Sequence, residues 1–226
     1  METASFDGVD VEWFGHASVK LKDSDGFTVY VDPWSDVMGK EEYEGADLII
    51  STHDHFDHFD KKMIQKLKKR DTVLVSTEES MSDVPEDVTS KVIQPDRSVK
   101  AKGHRVKGVH AYNVDKFREE DQPFHPKGFC TGVIIELDGT TFYHLSDTDP
   151  IPEMDKLADI DVAFVPIGGK YTMDQEEALE AIKKFEPGKV VPIHYGTVEG
   201  TTADISKFER DLELETNSEL VVLEEK

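Results

Sequence analysis

The chain has 226 residues, 37% of them hydrophobic, which is enough for a sizeable buried core and is read here as a single domain, 1–226. Acidic residues outnumber basic ones 48 to 26, for a net charge of −22. A field of that sign repels phosphate polymers and anionic bilayers, so neither nucleic acid nor a membrane is expected as a partner.

Cys130 is the only cysteine, which rules out an intramolecular disulfide and a thiolate cage for zinc. No apolar run approaches the roughly 20 residues of a membrane span, and "METASFDGVDVEW" lacks the pattern of a secretion signal. The expected location is the cytoplasm. The expected partner is a small-molecule substrate, and a homo-oligomer is compatible with the sequence.

In chain order, apolar runs bounded by turn residues predict strands at 9–14, 19–21, 27–31, 47–51, 72–75 and 91–93. A second set follows at 105–111, 132–137, 141–144, 162–166, 190–193 and 220–223. Asp138-Gly139 predicts a tight hairpin, because a type I′ turn needs two residues that accept positive φ. Helical periodicity marks 61–69 and 175–185, and more weakly 153–158 and 204–214. Asp60 is the expected N-cap of the first helix. Thr172 with Gln175 resembles a capping box for the second, which Pro187-Gly188 closes. Each half passes from strands to alternating strands and helices, predicting two α/β halves that share one core, with helices over mixed sheets.

Residues 51–58, "STHDHFDH", crowd three histidines and two aspartates after the predicted strand at 47–51 and before a helix. The loop at a strand's C-terminal end is where α/β sheets place ligands. In an extended segment, side chains two apart share a face, so His53 and His55 can bind one cation together. Asp57 and His58 then point elsewhere and can serve a second. Nitrogen and oxygen donors of this kind suit Zn2+, and also Mn2+ or Fe2+. Asp54 breaks the spacing and is expected to be a solvated bystander.

Four donors underfill two ions, so other strand ends are expected to contribute. "YHLSDTD" presents Asp147, a carboxylate able to bridge two cations, and "PIHYGT" presents His194. His104, His110 and His125 compete for the remaining place. The Asp138-Gly139 hairpin favours His125, since it brings the start of one strand to the end of the next; His110, inside a predicted strand, stays the alternative.

These segments resemble the metallo-β-lactamase-fold hydrolases, most closely a branch related to the ascorbate-phosphate lactonase. "WFGHASVKL", "VYVDPW", "STHDHFDH", "AYNVDKFREEDQPFHPKG", "YHLSDTD", "PIGGKYTMDQEEA" and "PIHYGT" resemble segments of that branch in order and span nearly the whole chain. The resemblance implies a mixed α/β (α+β) fold, a four-layer αββα sandwich of two mixed sheets flanked by helices, with a dinuclear site at one edge. It implies that His53, His55 and His125 hold one metal, that Asp57, His58 and His194 hold the other, and that Asp147 bridges them. Asp32 matches an aspartate that supports the ligand loop, and His16 a position near the site. A His at position 55, where the diiron flavoprotein branch has Glu, favours hydrolysis over redox chemistry.

The expected activity is therefore that of a metal-dependent hydrolase using two divalent ions, Zn2+ first among them. A hydroxide bridging them would attack a small ester, lactone or phosphoester, with Asp57 orienting the nucleophile or carrying its proton. His110 or Tyr195 would be available to protonate the leaving group, and Tyr171 or Lys170 to line the pocket. The rival functions are a nuclease or phosphodiesterase of the same fold, which the charge disfavours, and a non-catalytic metal-binding sensor.

Overall fold

The computed structural model describes residues 4–226. Seven strands form a first sheet in chain order: β1 (Ala4–Phe6), β2 (Val9–Trp13), β3 (Val19–Lys22), β4 (Thr28–Val31), β5 (Ala46–Ile50), β6 (Lys68–Ser76) and β7 (Thr89–Val92). β1 to β4 pair antiparallel, and β4 to β7 pair parallel. Between the parallel strands run a short α1 (Ser35–Met38) and α2 (Lys61–Leu67).

The second sheet begins with β8 (Ser98–Ala101) and β9 (His104–Ala111), and a small ribbon of β10 (Phe117–Glu119) and β11 (Gln122–Pro123) interrupts it. It continues with β12 (Cys130–Leu137), β13 (Thr140–His144), β14 (Val162–Pro166), β15 (Lys189–Ile193) and β16 (Glu219–Leu220). The spatial order is β16-β15-β14-β13-β12-β9-β8. It too runs from antiparallel to parallel along the chain, with α3 (Gln175–Phe185) and α4 (Ile205–Glu215) in its parallel part.

Burial explains why the central strands β4, β5 and β14 read as nearly continuous apolar runs: both their faces are covered. In β5, Leu48 and Ile50 join the core between the sheets, while Ile49 turns outward to pack with Met63, Ile64 and Leu67 of α2. In β14, Val162 and Phe164 face the other sheet, and Ala163 and Val165 pack with Ala178 and Ile182 of α3 and Phe208 of α4. The period-2 alternation thus distributes residues among three apolar layers, and the result is the αββα sandwich. Burying a side chain such as Phe164 contributes about 1.5–3 kcal/mol.

All twelve predicted strands are present, the last cut to Glu219–Leu220. β1, β8 and the β10–β11 ribbon were not foreseen; they are short or mostly polar. Asp138 (φ 49°) and Gly139 (φ 81°) make the expected turn. Asp60 caps α2 by accepting from the backbone N–H groups of Lys62 and Met63. The cap of α3 needs correction: it is Asp174 with Glu177, a full capping box, and not Thr172 with Gln175. Thr172 is wholly buried two residues before the cap. The segment near 153–158 is a 3-10 turn, Pro152–Lys156.

Candidate metal centre

The C-terminal ends of the parallel strands in both sheets open onto one edge of the sandwich, and there the singled-out side chains gather. β4 delivers Asp32, which is fully buried with φ 47°. Its carboxylate accepts from Thr52 N at 2.8 Å, Thr52 Oγ1 at 2.7 Å and His58 Nδ1 at 2.8 Å. Ser51 Oγ donates to the His53 and His58 carbonyls, closing the 51–58 loop on itself. Asp32 therefore sets the tautomer of His58 and aims its Nε2 into the site, the role expected of a residue behind a ligand.

The second sheet supplies three more donors from separate strand ends. His125 precedes β12 and is fixed by Asn113, whose Oδ1 accepts from His125 N at 2.9 Å and meets Nδ1 at 2.8 Å. Asn113 is itself held because its amide donates to Asp149 Oδ1 and to the Tyr171 carbonyl. Asp147 follows β13, and His194 follows β15 with φ 59°. The His194 backbone passes so close to Gly168 that a Cβ there would stand 2.1 Å from the His194 carbonyl oxygen. Only glycine admits this approach. His16 and Ser146 share the left-handed conformation, at φ 49° and 62°. Backbone strain of this sort clusters at functional sites, where surrounding structure holds it.

The donor atoms converge on Asp147. Its Oδ1 lies 3.3 Å from His58 Nε2 and 3.3 Å from His194 Nε2, and its Oδ2 lies 3.2 Å from His125 Nε2. His53 Nε2 faces His55 Nδ1 at 3.1 Å. Asp57 Oδ2 is 3.9 Å from His58 Nε2 and 3.0 Å from His16 Nε2. His58 Nε2, His194 Nε2 and Asp147 Oδ1 are buried without a hydrogen-bond partner, although each has another of the three within reach. Orphaned buried groups of this kind are costly unless something else satisfies them. Tetrahedral ligands about 2.0–2.1 Å from a zinc ion stand about 3.3–3.4 Å from each other. The observed separations fit donors arranged around cations.

Electrostatics agrees with the geometry. Burial, with the neighbouring His58, depresses His53 well below the usual imidazole range, and burial beside His125 takes His55 down to about 4. Burial and His194 push His16 down to about 4, so it is neutral at pH 7 and its Nε2–H donates to Asp57. Burial alone would raise Asp57 and Asp147. The facing imidazoles, His58 for Asp57 and His194 for Asp147, outweigh it and keep both ionised. His58 is the exception: burial pulls it down, yet Asp147, Asp32 and Asp57 hold it well above the usual value.

Several other expectations resolve here. His110 lies away from the cluster, paired with the exposed Asp96 at 3.1 Å, so it does not stand where His125 does. Tyr195 stacks on Trp13 with ring centroids 5.3 Å apart, and its ring packs against the core between the sheets. Asp54 is exposed. Lys170 donates to the Glu199 carbonyl, but Tyr171 does line the cavity. Cys130 lies beside His53 and His125; burial raises its thiol pKa and favours the neutral form.

A cavity of about 560 Å3 opens above the cluster, walled by Phe56, Phe124, Tyr171 and Val198, with Arg118 among its lining. Sequence reasoning assigned no role to Arg118 or Asn113, although both lie in "AYNVDKFREEDQPFHPKG". The only signal was their position in a segment rich in polar residues just before His125.

The fold and this donor set together define a metal-dependent hydrolase of the metallo-β-lactamase type. The Beta-lactamase superfamily domain matches residues 10–194 of the chain. A UPF0173 metal-dependent hydrolase of Natranaerobius thermophilus is 30% identical over 225 residues, covering 95% of this chain and 96% of its own. One from Thermus thermophilus is 34% identical over 198 residues, 84% of each chain. Among solved structures, Igni18, a metallo hydrolase of Ignicoccus hospitalis, superposes with a TM-score of 0.76 at 28% identity, covering 96% of this chain and 95% of that one. The chain belongs to the UPF0173 metal-dependent hydrolases of the β-lactamase superfamily.

Proposed function

We propose that the chain is a dinuclear metal-dependent hydrolase of a small ester, lactone or phosphoester. The observation that carries the reading is the convergence of three imidazole nitrogens within 3.3 Å of the two oxygens of one buried carboxylate, Asp147. His53, His55 and His125 would hold one ion, and Asp57, His58 and His194 the other, with Asp147 between them. Zn2+ suits these nitrogen and oxygen donors best, with Mn2+ or Fe2+ as the other candidates. Two such ions, when bound, lower the pKa of water toward about 7 and polarise a carbonyl or phosphoryl oxygen.

The chain's own groups do the remaining work. Asp32 and Asn113 hold His58 and His125 in the tautomers that direct Nε2 inward. Neutral His16 fixes Asp57 Oδ2, which leaves Oδ1 to orient a nucleophile or hold its proton. Phe56, Phe124 and Val198 give the cavity apolar walls beside the cluster. The charge of −22 speaks for small substrates over phosphate polymers.

The test is metal analysis of purified protein, followed by assays of lactone, ester and phosphodiester panels with that metal bound. Two ions per chain and turnover that is lost in Asp57→Ala are expected. Stoichiometric metal with no turnover of any panel member would point to the sensor reading.

A further inference from the structure

Arg118 stands at the mouth of the cavity on β10, its guanidinium 5.5 Å from the Phe124 ring centre. The chain is heavily acidic, and Glu119 and Glu120 adjoin this residue in sequence. Even so, among the described residues no carboxylate pairs with it. Its one polar neighbour is His55, whose Nε2 lies 3.2 Å from Arg118 Nη2.

That contact has a definite proton arrangement. Arginine only donates, so His55 Nε2 must accept and the ring's proton must sit on Nδ1. His55 Nδ1–H can then donate to His53 Nε2 at 3.1 Å, His53 Nδ1–H to Thr52 Oγ1 at 3.2 Å, and Thr52 Oγ1–H to Asp32 Oδ2 at 2.7 Å. Without a cation, the chain Arg118–His55–His53–Thr52–Asp32 is self-consistent.

A cation at His53 Nε2 and His55 Nδ1 breaks that order. Both atoms must present lone pairs, so the His55 proton moves to Nε2. An N–H then faces the N–H of Arg118 across 3.2 Å, and two donors repel. An acceptor placed against both relieves the conflict, and an anionic acceptor also neutralises the arginine. The Phe124 ring holds the exposed guanidinium at the cavity mouth, and a bond in which both partners carry charge is stronger than a neutral one.

Resting on the metal-centre reading for His55, we propose that Arg118 and the His55 Nε2–H form an oxyanion subsite. It would bind a carboxylate or phosphate monoester group of the substrate, one imidazole ring away from the reacting centre. Arg118 is then a specificity residue. The substrate carries a permanent negative charge a few bonds from the scissile ester, lactone or phosphoester linkage. The remainder of the surface, with its excess of acids, would disfavour the same charge anywhere else.

The test is calorimetric binding to the zinc-loaded protein, with metal content measured on each sample. The probes are butyrate, with one carboxylate for the metal centre, and glutarate and 4-phosphonobutyrate, each with a second anionic group on a short tail. Glutarate is expected to bind about tenfold more tightly than butyrate, the size of one charge-assisted hydrogen bond. That ratio should fall to about one in Arg118→Gln and recover in part in Arg118→Lys, which keeps the charge but not the fork. Tighter binding of 4-phosphonobutyrate than of glutarate assigns the subsite to a phosphate, and the reverse order to a carboxylate. Equal affinities of butyrate and glutarate with two ions per chain would overturn the subsite and leave the metal centre standing. A ratio that survives in Arg118→Gln would do the same. Failure to retain zinc stoichiometrically would remove the metal-centre reading and the subsite with it.

Discussion

The two sheets contribute to the candidate centre in opposite ways. The first sheet places four donors on the six consecutive residues 53–58, stapled by Ser51 and oriented by Asp32. The second sheet places three donors on residues 125, 147 and 194, each on a different connection; Asn113 fixes the first, and the close pass at Gly168 seats the last. The first set is locally encoded: any chain that forms β5, the loop and α2 will bring its members together. The second exists only once β9, β12, β13, β14 and β15 are in register. Local sets can be read from spacing, whereas dispersed sets depend on long-range pairing.

Removing the dispersed carboxylate should break the centre hardest. Asp147 meets three imidazoles, so Asp147→Ala is expected to lose both ions and at least about a thousandfold in kcat/KM. His53→Ala, on the local side, should retain one ion; elemental analysis of the two variants side by side checks the contrast. The supports come next. Asn113→Ala frees the His125 ring and Asp32→Ala frees His58, and each should weaken metal binding by about 10–100-fold. Competition with a chromogenic chelator measures both.

A purely steric probe separates placement from chemistry. Gly168→Ala drives a methyl group against the His194 carbonyl, and should cost about 1–3 kcal/mol of stability as well as displacing the His194 ring. A thermal melt, together with metal content, records both effects.

The acid dependence follows from His58. Its pKa in the metal-free protein is raised by Asp147, Asp32 and Asp57 against the effect of burial. A proton therefore occupies the nitrogen that the ion needs until the pH exceeds that raised value, and metal affinity should climb with pH across neutrality. Calorimetry in buffers of different ionisation enthalpy should detect about one proton released as His58 takes up metal. The smallest effect is reserved for His110→Ala. Among the described residues its side chain pairs only with an exposed carboxylate, so stability should change by less than about 0.5 kcal/mol and metal content not at all.

The strands were legible because both faces of most are buried, and the hairpin because Asp138-Gly139 accepts positive φ. The 51–58 cluster was legible from spacing alone. His125 was preferred over His110 from the hairpin's topology, and it is His125 that stands 3.2 Å from Asp147. Asn113, Gly168 and Arg118 were not legible. Asn113 and Gly168 act through contacts with residues 12 and 26 positions away, and Arg118 through one 63 positions away, on a ribbon too short and polar to announce itself. The cap of α3 was misplaced by two residues for a local reason: Thr172 offers the right chemistry, but Asp174 has the carboxylate and a Glu three residues on.

The most direct measurement of the central claim is anomalous diffraction from crystals of the zinc-loaded protein, collected on both sides of the metal edge. Two peaks should flank Asp147, one enclosed by His53, His55 and His125 and the other by Asp57, His58 and His194. No peak, a single one, or one placed at His110 would contradict it.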